Sequence, residues 1–243
     1  MRHSLSEDPV VQRKRVLGWL VHVYTALGIP LNLYSLVALL KGNGSLFFAL
    51  NFSAVFIDST DGFMARYLNI KELVPSFDGA KLDDLIDFLT FTFLPLIALP
   101  LLNLISHDAW WTLLFPMMSS AYGFCQTRAK TDDAFVGFPS YWNIFALYFF
   151  ILQPPEWVII VILHILGILV FIPIHYVYPT KTKRLFKTTM LFGTLYMFSL
   201  GFIALNPNAS WTIPLTYCSL LYMAYYIILS LIHDREVRQR LKQ

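Results

Sequence analysis

Short polar interruptions separate a series of long apolar runs along this chain. Most runs are about as long as the roughly 20 residues that a helix needs to cross the hydrocarbon core of a bilayer. The interruptions at 41–44, 154–155 and 206–208 read KGNG, PP and NPN, which are residue types that favour turns. The pattern therefore predicts eight spans, at about 16–40, 45–66, 81–104, 109–127, 138–153, 156–178, 186–205 and 211–232.

The composition supports a membrane protein. Of the 243 residues, 57% are hydrophobic and 14% are charged, whereas soluble domains are about one quarter charged. We therefore expect an all-α fold, a polytopic membrane helix bundle that forms a single domain over residues 1–243. Residues 1–15 would be a cytoplasmic N-terminal segment, and residues 233–243 a basic cytoplasmic tail. The net charge of +3 is too small to indicate a nucleic-acid partner.

The distribution of basic residues predicts the orientation of the bundle. With eight spans, every lysine and arginine except Lys41 falls on the side that holds both termini. Because cytoplasmic loops carry an excess of lysine and arginine, both termini are expected in the cytoplasm. The fifth span is the weakest of the eight predictions because it is short and contains Pro139.

Acidic residues are concentrated between the second and third predicted spans. Seven of the fifteen acidic residues lie in the stretch 58–87. Asp58 and Asp61 are three residues apart, and Asp83 and Asp87 are four apart, so each pair shares one face of a helix. The two spans are consecutive and antiparallel, and they can bring all four carboxylates together near the cytoplasmic side. Such a cluster favours a bound hard cation, Mg²⁺, Mn²⁺ or Ca²⁺.

The same stretch carries a longer motif. It reads Asp58-x-x-Asp61-Gly62-x-x-Ala65-Arg66 and continues, after residues 67–78, as Gly79-x-x-x-Asp83-x-x-x-Asp87. This pattern resembles the signature of the CDP-alcohol phosphotransferases. These are integral membrane enzymes in which an alcohol attacks a CDP-linked donor and CMP is released. The linker 67–78 is longer than the family's usual one.

Two further stretches narrow the resemblance. The first span contains WLVHVYTALG at 19–28, and FDGAKLDD follows the linker at 77–84. Both are similar to the bacterial branch of the family that joins choline to CDP-diacylglycerol. The resemblance implies phospholipid biosynthesis at the inner membrane of a bacterium, with CDP-diacylglycerol and choline as substrates. It also implies an active site that faces the cytoplasm and a homodimer surrounded by membrane lipid.

The resemblance assigns roles to the motif residues. Asp58, Asp61 and Asp83 would hold Mg²⁺ or Mn²⁺, and Asp87 would act as the catalytic base and also contact the metal. The residues expected to contact the CDP group are Asp58, Gly62, Ala65, Arg66 and Gly79.

The choline site has a weaker sequence signal. A quaternary ammonium group cannot donate hydrogen bonds, so aromatic faces and carboxylates are its natural partners. Aromatic residues also form interfacial belts in membrane proteins, and exposed acids often cap helices. The candidates predicted near the cytoplasmic side are Tyr24, Tyr122, Tyr141, Trp142, Tyr176 and the acid Asp84.

Two alternatives remain open at this point. A related enzyme could use another acceptor, such as serine or glycerol phosphate. A transporter could instead pass cations through the acidic cluster. Transporters commonly show paired repeats with a site near the midplane, whereas this chain has one acidic cluster in one half, which favours the enzymes.

Overall fold

The structure is a computed structural model that describes residues 9–131, 133–179 and 181–240. Helices account for most of this part of the chain. In chain order they are α1 (Pro9–Ala26), α2 (Gly28–Leu40), α3 (Gly44–Tyr67), α4 (Ile70–Leu73), α5 (Gly79–Asp87), α6 (Leu94–Leu101), α7 (Leu114–Cys125), α8 (Trp142–Leu152), α9 (Glu156–Phe171), α10 (Phe186–Leu205) and α11 (Thr212–Arg240). A π-helical segment, Phe88–Phe93, joins α5 to α6, and a 3₁₀ segment, His107–Leu113, precedes α7.

The helices confirm a multi-pass membrane bundle. Four helical stretches of the described chain are long and apolar enough to cross a membrane: Gln12–Leu40, Gly79–Leu101, Phe186–Leu205 and Thr212–Arg240. Helices also occupy the other predicted spans, but α8 has 11 residues and α9 has 16. Eight complete crossings, and the side on which the termini lie, therefore stay predictions.

The first predicted span is interrupted once. Helix α1 ends at Ala26, and α2 begins at Gly28. Pro30 has no backbone N–H with which to bond the carbonyl of Ala26. This missing donor explains the break of one residue at Leu27.

The third predicted span changes its helical geometry after Asp87. The π-helical segment that follows has i to i+5 bonding, and at Pro95 the N–H that would bond Thr90 is absent. The amide of Asn51 on α3 donates to the Thr90 carbonyl instead, at 2.8 Å. Asn32 on α2 donates to the Thr90 hydroxyl, also at 2.8 Å. Because buried backbone groups in a bilayer need internal partners, these two asparagines fix the helix that carries Asp87.

The linker between α3 and α5 is more ordered than its polar composition predicts. It turns at Asn69, which has a positive φ of 50°, a conformation that asparagine tolerates better than most residues. The short helix α4 follows, and Ile70 and Val74 are buried. A Cβ added to Gly18 of α1 would lie 2.8 Å from Val74, so the linker packs closely on the first helix.

Two short strands depart from the predicted all-helical fold. Strand β1 (Ala134–Val136) pairs antiparallel with β2 (His175–Val177). The sixth predicted span, which was expected to reach residue 178, ends as helix α9 at Phe171 and leads into β2.

Side chains of α11 complete the second strand. Ser230 accepts from the Val177 amide at 3.1 Å, and Tyr226 donates to the Val177 carbonyl at 3.0 Å. Asp234 accepts from both the backbone amide and the ring of His175. These contacts satisfy the backbone of a strand that would otherwise expose an unpaired edge, and they connect the last helix to the loop before α8.

The apolar core lies away from the acidic stretch. It is built from α2, α3, α6, α8, α9 and α10, and its large fully buried side chains include Phe47, Leu99, Trp142, Ile159 and Ile203. The acidic parts of α3 and α5 extend beyond this core and pack against α1.

Candidate active site

Two helices carry the acidic motif. Asp58 and Asp61 lie in the second half of α3, and Asp83 and Asp87 lie on α5. Helix α5 begins at Gly79 because Asp78 caps it, its carboxylate accepting from the Lys81 amide at 3.1 Å. The cap fixes the start of the helix, and the spacing of four residues then sets Asp83 and Asp87 on one face.

Three of the four motif carboxylates form a compact cluster. Asp58, Asp83 and Asp87 each offer an oxygen, and these oxygens lie within 4.8 Å of one another. Three like charges at this distance repel unless a proton or a cation lies between them. An all-oxygen set of carboxylates fits the hard divalent cations Mg²⁺, Mn²⁺ and Ca²⁺. The cluster could therefore hold a metal ion, and this much of the predicted metal chemistry agrees with the geometry.

The fourth predicted ligand is set apart from this cluster. Asp61 is buried, with 4% of its surface exposed. Thr25 of α1 and the Gly62 backbone lie close to its carboxylate, and Arg66 acts on it electrostatically. Asp61 thus connects α3 with α1, while its predicted metal contact stays a prediction.

The residues predicted to contact CDP lie on the two helices that carry the cluster, α3 and α5. On α3, a Cβ added to Gly62 would lie 3.2 Å from the guanidinium of Arg66, so Arg66 folds back over Gly62. Ala65 is half-buried on the same helix. Small residues here leave the α3 backbone accessible beside Arg66.

Among the residues predicted to contact CDP, Gly79 has the closest neighbour. A Cβ at this position would lie 2.4 Å from the ring of His22 on α1, so a larger residue cannot fit without moving His22. The His22 ring contacts Phe77 at 4.6 Å and Trp19 at 5.8 Å between centroids. The first-span stretch and the linker therefore form one aromatic group around the start of α5.

A lysine from outside the acidic motif lies beside the cluster. The ammonium group of Lys130, in the loop after α7, is 3.4 Å from the Asp84 carboxylate. Burial lowers the pKa of Lys130, but the nearby charges of Asp84, Asp87 and Asp83 outweigh it and hold the pKa above its usual value. Lys130 is therefore a permanent cation at neutral pH. Its sequence signal was the short basic segment before α8, which the positive-inside rule also explains.

Three of the six predicted choline residues are tyrosines whose neighbours include residues of the site or of the small sheet. Tyr141 lies near the cluster, within electrostatic range of Asp58 and Asp87, and its ring is 6.3 Å from that of Phe91. Tyr24 bonds Thr60 at 2.8 Å, two residues after Asp58. Tyr176 stacks on Tyr226 with centroids 6.4 Å apart.

The other three candidates have partners of their own. Trp142 is buried in the core and donates its ring N–H to Ser120 at 2.6 Å. Tyr122 is 47% exposed and contacts Phe171 at 4.8 Å between centroids. Asp84 is paired with Lys130. Their predicted contacts with choline stay predictions, and the geometry favours Tyr141.

Two tyrosines of α11 were missed from the sequence. Tyr222 and Tyr226 lie within electrostatic range of Tyr141. They are four residues apart on the last helix, which was a signal for one shared face. Aromatic side chains are so frequent in this chain that the spacing alone could not separate them from a membrane belt.

Fold and site together define an integral membrane protein whose helical bundle carries a carboxylate cluster suited to a divalent cation. No protein-family model matches the chain. The phosphatidylcholine synthase of Borreliella burgdorferi is 41% identical to it over 177 residues, which cover 72% of the chain and 76% of that protein. The phosphatidylcholine synthase of Legionella pneumophila is 34% identical over 193 residues, 76% of the chain and 74% of that protein.

A third relative is similar over still more of its length. The phosphatidylcholine synthase of Pseudomonas aeruginosa is 31% identical over 208 residues, 85% of the chain and 86% of that protein. The chain belongs to the phosphatidylcholine synthase family. This confirms the resemblance to the choline-using branch that the motif and the first span indicated.

Proposed function

We propose that this protein transfers the phosphatidyl group of CDP-diacylglycerol to choline, with formation of phosphatidylcholine and release of CMP. Its relatives are named phosphatidylcholine synthase. The observation that carries the proposal is the cluster of Asp58, Asp83 and Asp87. An oxygen-only cation site at the end of a membrane bundle suits a donor with a diphosphate and two acyl chains.

The reaction is a displacement at phosphorus. The hydroxyl oxygen of choline bonds to the phosphorus that carries the diacylglycerol, and the bond from that phosphorus to the bridging oxygen breaks. CMP leaves with the bridging oxygen. Asp87 accepts the proton of the choline hydroxyl and passes it to solvent, which is the role of a general base.

Asp58, Asp83 and Asp87 would hold Mg²⁺ or Mn²⁺, with Asp61 as the fourth predicted ligand. When bound, the cation neutralises negative charge on the diphosphate. On the nucleotide side, Gly62, Ala65 and Gly79 leave room for the cytidine group beside the backbone. Arg66 contributes a forked, permanent cation next to Gly62.

The charges at the site favour choline over an acceptor that bears phosphate. The site has the four motif acids Asp58, Asp61, Asp83 and Asp87 and the neighbouring Asp84, and the ammonium group of Lys130 lies 3.4 Å from Asp84. A cationic acceptor is attracted to this surplus of negative charge, while glycerol phosphate is repelled. Tyr141, Tyr222 and Tyr226 offer aromatic faces for the quaternary ammonium group.

We propose the inner membrane of a bacterium as the location, with the active site facing the cytoplasm and the protein acting as a homodimer. The side is supported by the basic residues, of which all but Lys41 fall with the termini in the eight-span arrangement. The dimer rests on the family resemblance.

The test is CMP release by the purified full-length protein in detergent, with CDP-diacylglycerol, Mg²⁺ or Mn²⁺ and a panel of alcohols. Release with choline alone supports the proposal. Release with serine or glycerol phosphate but not choline would keep the chemistry and overturn the acceptor. Cation flux in vesicles without CMP release would favour a transporter.

A further inference from the structure

The loop that carries Lys130 has a defined backbone. Val136 donates to the Ala129 carbonyl at 2.9 Å, and Thr131 donates to the Ala134 carbonyl at 2.8 Å. Lys130 itself forms a β-bridge with Phe135. Because β1 in turn pairs with β2, the position of the Lys130 backbone is set by the small sheet rather than by a free loop.

The ammonium group of Lys130 lies beside the carboxylate cluster, 3.4 Å from Asp84, which is the neighbour of Asp83 in the chain. Its charge acts on each of Asp58, Asp83 and Asp87. Arg66, on α3, acts on Asp61. The carboxylate cluster therefore has the positive charge of Lys130 on the side of the α7–α8 loop.

The contact between Lys130 and Asp84 is loose. At 3.4 Å it is longer than the roughly 2.7–2.9 Å typical of a charge-assisted hydrogen bond. About half of each side chain is exposed, 50% for Lys130 and 46% for Asp84, and exposed ion pairs contribute little free energy. Such a pair holds the ammonium group of Lys130 near the cluster. Because the pair is weak, Lys130 can leave Asp84 for an anion that it binds more tightly.

A diphosphate is an anion that Lys130 would bind more tightly than the Asp84 carboxylate. Asp58, Asp83 and Asp87 would hold a divalent cation that neutralises part of the charge of a bound diphosphate, and Lys130 beside Asp84 would supply a second positive charge for its remaining oxygens. Lysine is a common phosphate ligand because its ammonium group acts as a compact point charge on a flexible stem.

We propose that Lys130 binds the diphosphate of the CDP-linked donor, and that Asp84 holds the ammonium group at the opening until the donor arrives. The inference rests on the proposed function for the identity of the donor. It assigns Lys130 a binding role that the acidic motif does not include, and it assigns Asp84 a positioning role.

The experiment measures binding of CDP and of cytidine to the full-length protein in detergent by calorimetry, at one fixed Mg²⁺ concentration. The two probes differ in the diphosphate alone. Lys130→Met is expected to weaken CDP binding about tenfold or more, which is the effect of one lost charge-assisted hydrogen bond, and to leave cytidine binding unchanged. Lys130→Arg should recover most of the CDP affinity.

Two further variants separate binding from a structural role. Asp84→Asn breaks the same ion pair but leaves the cation, so its CDP affinity should equal or exceed that of the wild type. Lys81→Met is the matched control, since Lys81 is an exposed lysine in the first turn of α5, and it should leave CDP affinity unchanged.

Three results would overturn the inference: no loss of CDP affinity in Lys130→Met, an equal loss for cytidine, or the same loss in Asp84→Asn as in Lys130→Met. Failure of the wild type to bind CDP at all would overturn both this inference and the proposed function. If the wild type binds CDP through Lys130 but releases no CMP with choline, the proposed function fails and the binding role of Lys130 stands.

Discussion

The two halves of the chain contribute to the site in different ways. In the first half, α3 and α5 supply the acidic cluster, and the spacing of residues within each helix sets which carboxylates share a face. In the second half, Lys130, Tyr141, Tyr222 and Tyr226 come from a loop, a helix start and the last helix. The loop of Lys130 is set by its bridge to β1, and the bonds between α11 and β2 set Tyr226, which with Tyr222 lies near Tyr141.

The first half of the chain supplies the groups of the reaction, and the second half supplies groups that recognise the substrates. Carboxylates that share a cation need fixed mutual positions, and helical repeats deliver them over a short stretch of sequence. Groups that recognise the substrates surround the cluster and can come from any element that reaches it. We therefore expect changes in the first half to abolish the reaction, and changes in the second half to alter substrate affinity.

Removal of divalent cations should have the largest effect. Chelation by EDTA should reduce CMP release to background, because three carboxylates cannot bind a diphosphate without a cation between them. Adding back Mg²⁺ or Mn²⁺ should restore release, measured by CMP formation in detergent. Undiminished activity after exhaustive chelation would contradict a metal role for the cluster.

Asp87→Asn should come next. Loss of the general base is expected to reduce CMP release about 10²–10⁴-fold, while CDP-diacylglycerol binding is largely kept because Asp58 and Asp83 remain. Turnover and donor affinity are measured on the same preparation. Asp108→Asn, in an exposed acid of the 3₁₀ segment before α7, is the control and should behave as wild type.

Tyr141→Ala tests the second half of the molecule. Loss of one aromatic face is expected to raise the KM for choline about tenfold, with the KM for CDP-diacylglycerol little changed. Tyr141→Phe keeps the face and should restore the choline KM. Tyr217, which is 59% exposed on α11, gives a control in Tyr217→Ala. Equal changes in both substrate KM values would argue for misfolding instead of lost recognition.

Gly79→Ala should have the smallest effect of the four changes, and it should act mainly on the stability of the fold. The added methyl would lie 2.4 Å from the His22 ring, and overpacking of this kind costs about 1–3 kcal/mol. Thermal unfolding in detergent should show a lower Tm. The double variant Gly79→Ala, His22→Ala has room for the methyl group, so the Gly79 change should cost less in that background. Full additivity of the two changes would contradict the proposed steric contact.

Much of the first half could be predicted from the sequence. The motif spacing indicated that Asp58, Asp83 and Asp87 would come together, and they do. Asp61 was expected with them, and its metal contact stays a prediction; its carboxylate lies close to Thr25 of α1. Spacing placed Asp61 on the same helix as Asp58, but which neighbour its side chain meets depends on how α1 packs against α3.

The π-helical segment after Asp87 could not be predicted from the pattern of apolar residues. The segment is as hydrophobic as an ordinary membrane span. The residues in the sequence that relate to its π-helical geometry are Pro95 and two distant asparagines, Asn32 and Asn51. Only packing shows that Asn51 lies opposite the Thr90 carbonyl.

The sequence by itself determined the class of protein, a helical membrane bundle, and the acidic chemistry of its site. Both depend on local properties: the length of apolar runs, and the spacing of carboxylates along single helices. The tertiary structure decided which groups surround the cluster. Lys130 is distant in sequence from the cluster, and the pairing of β1 with β2 sets the position of its loop, while the bonds from α11 to β2 set the position of Tyr226. Such contacts depend on how separate elements pack, which the periodicity within any one element does not encode.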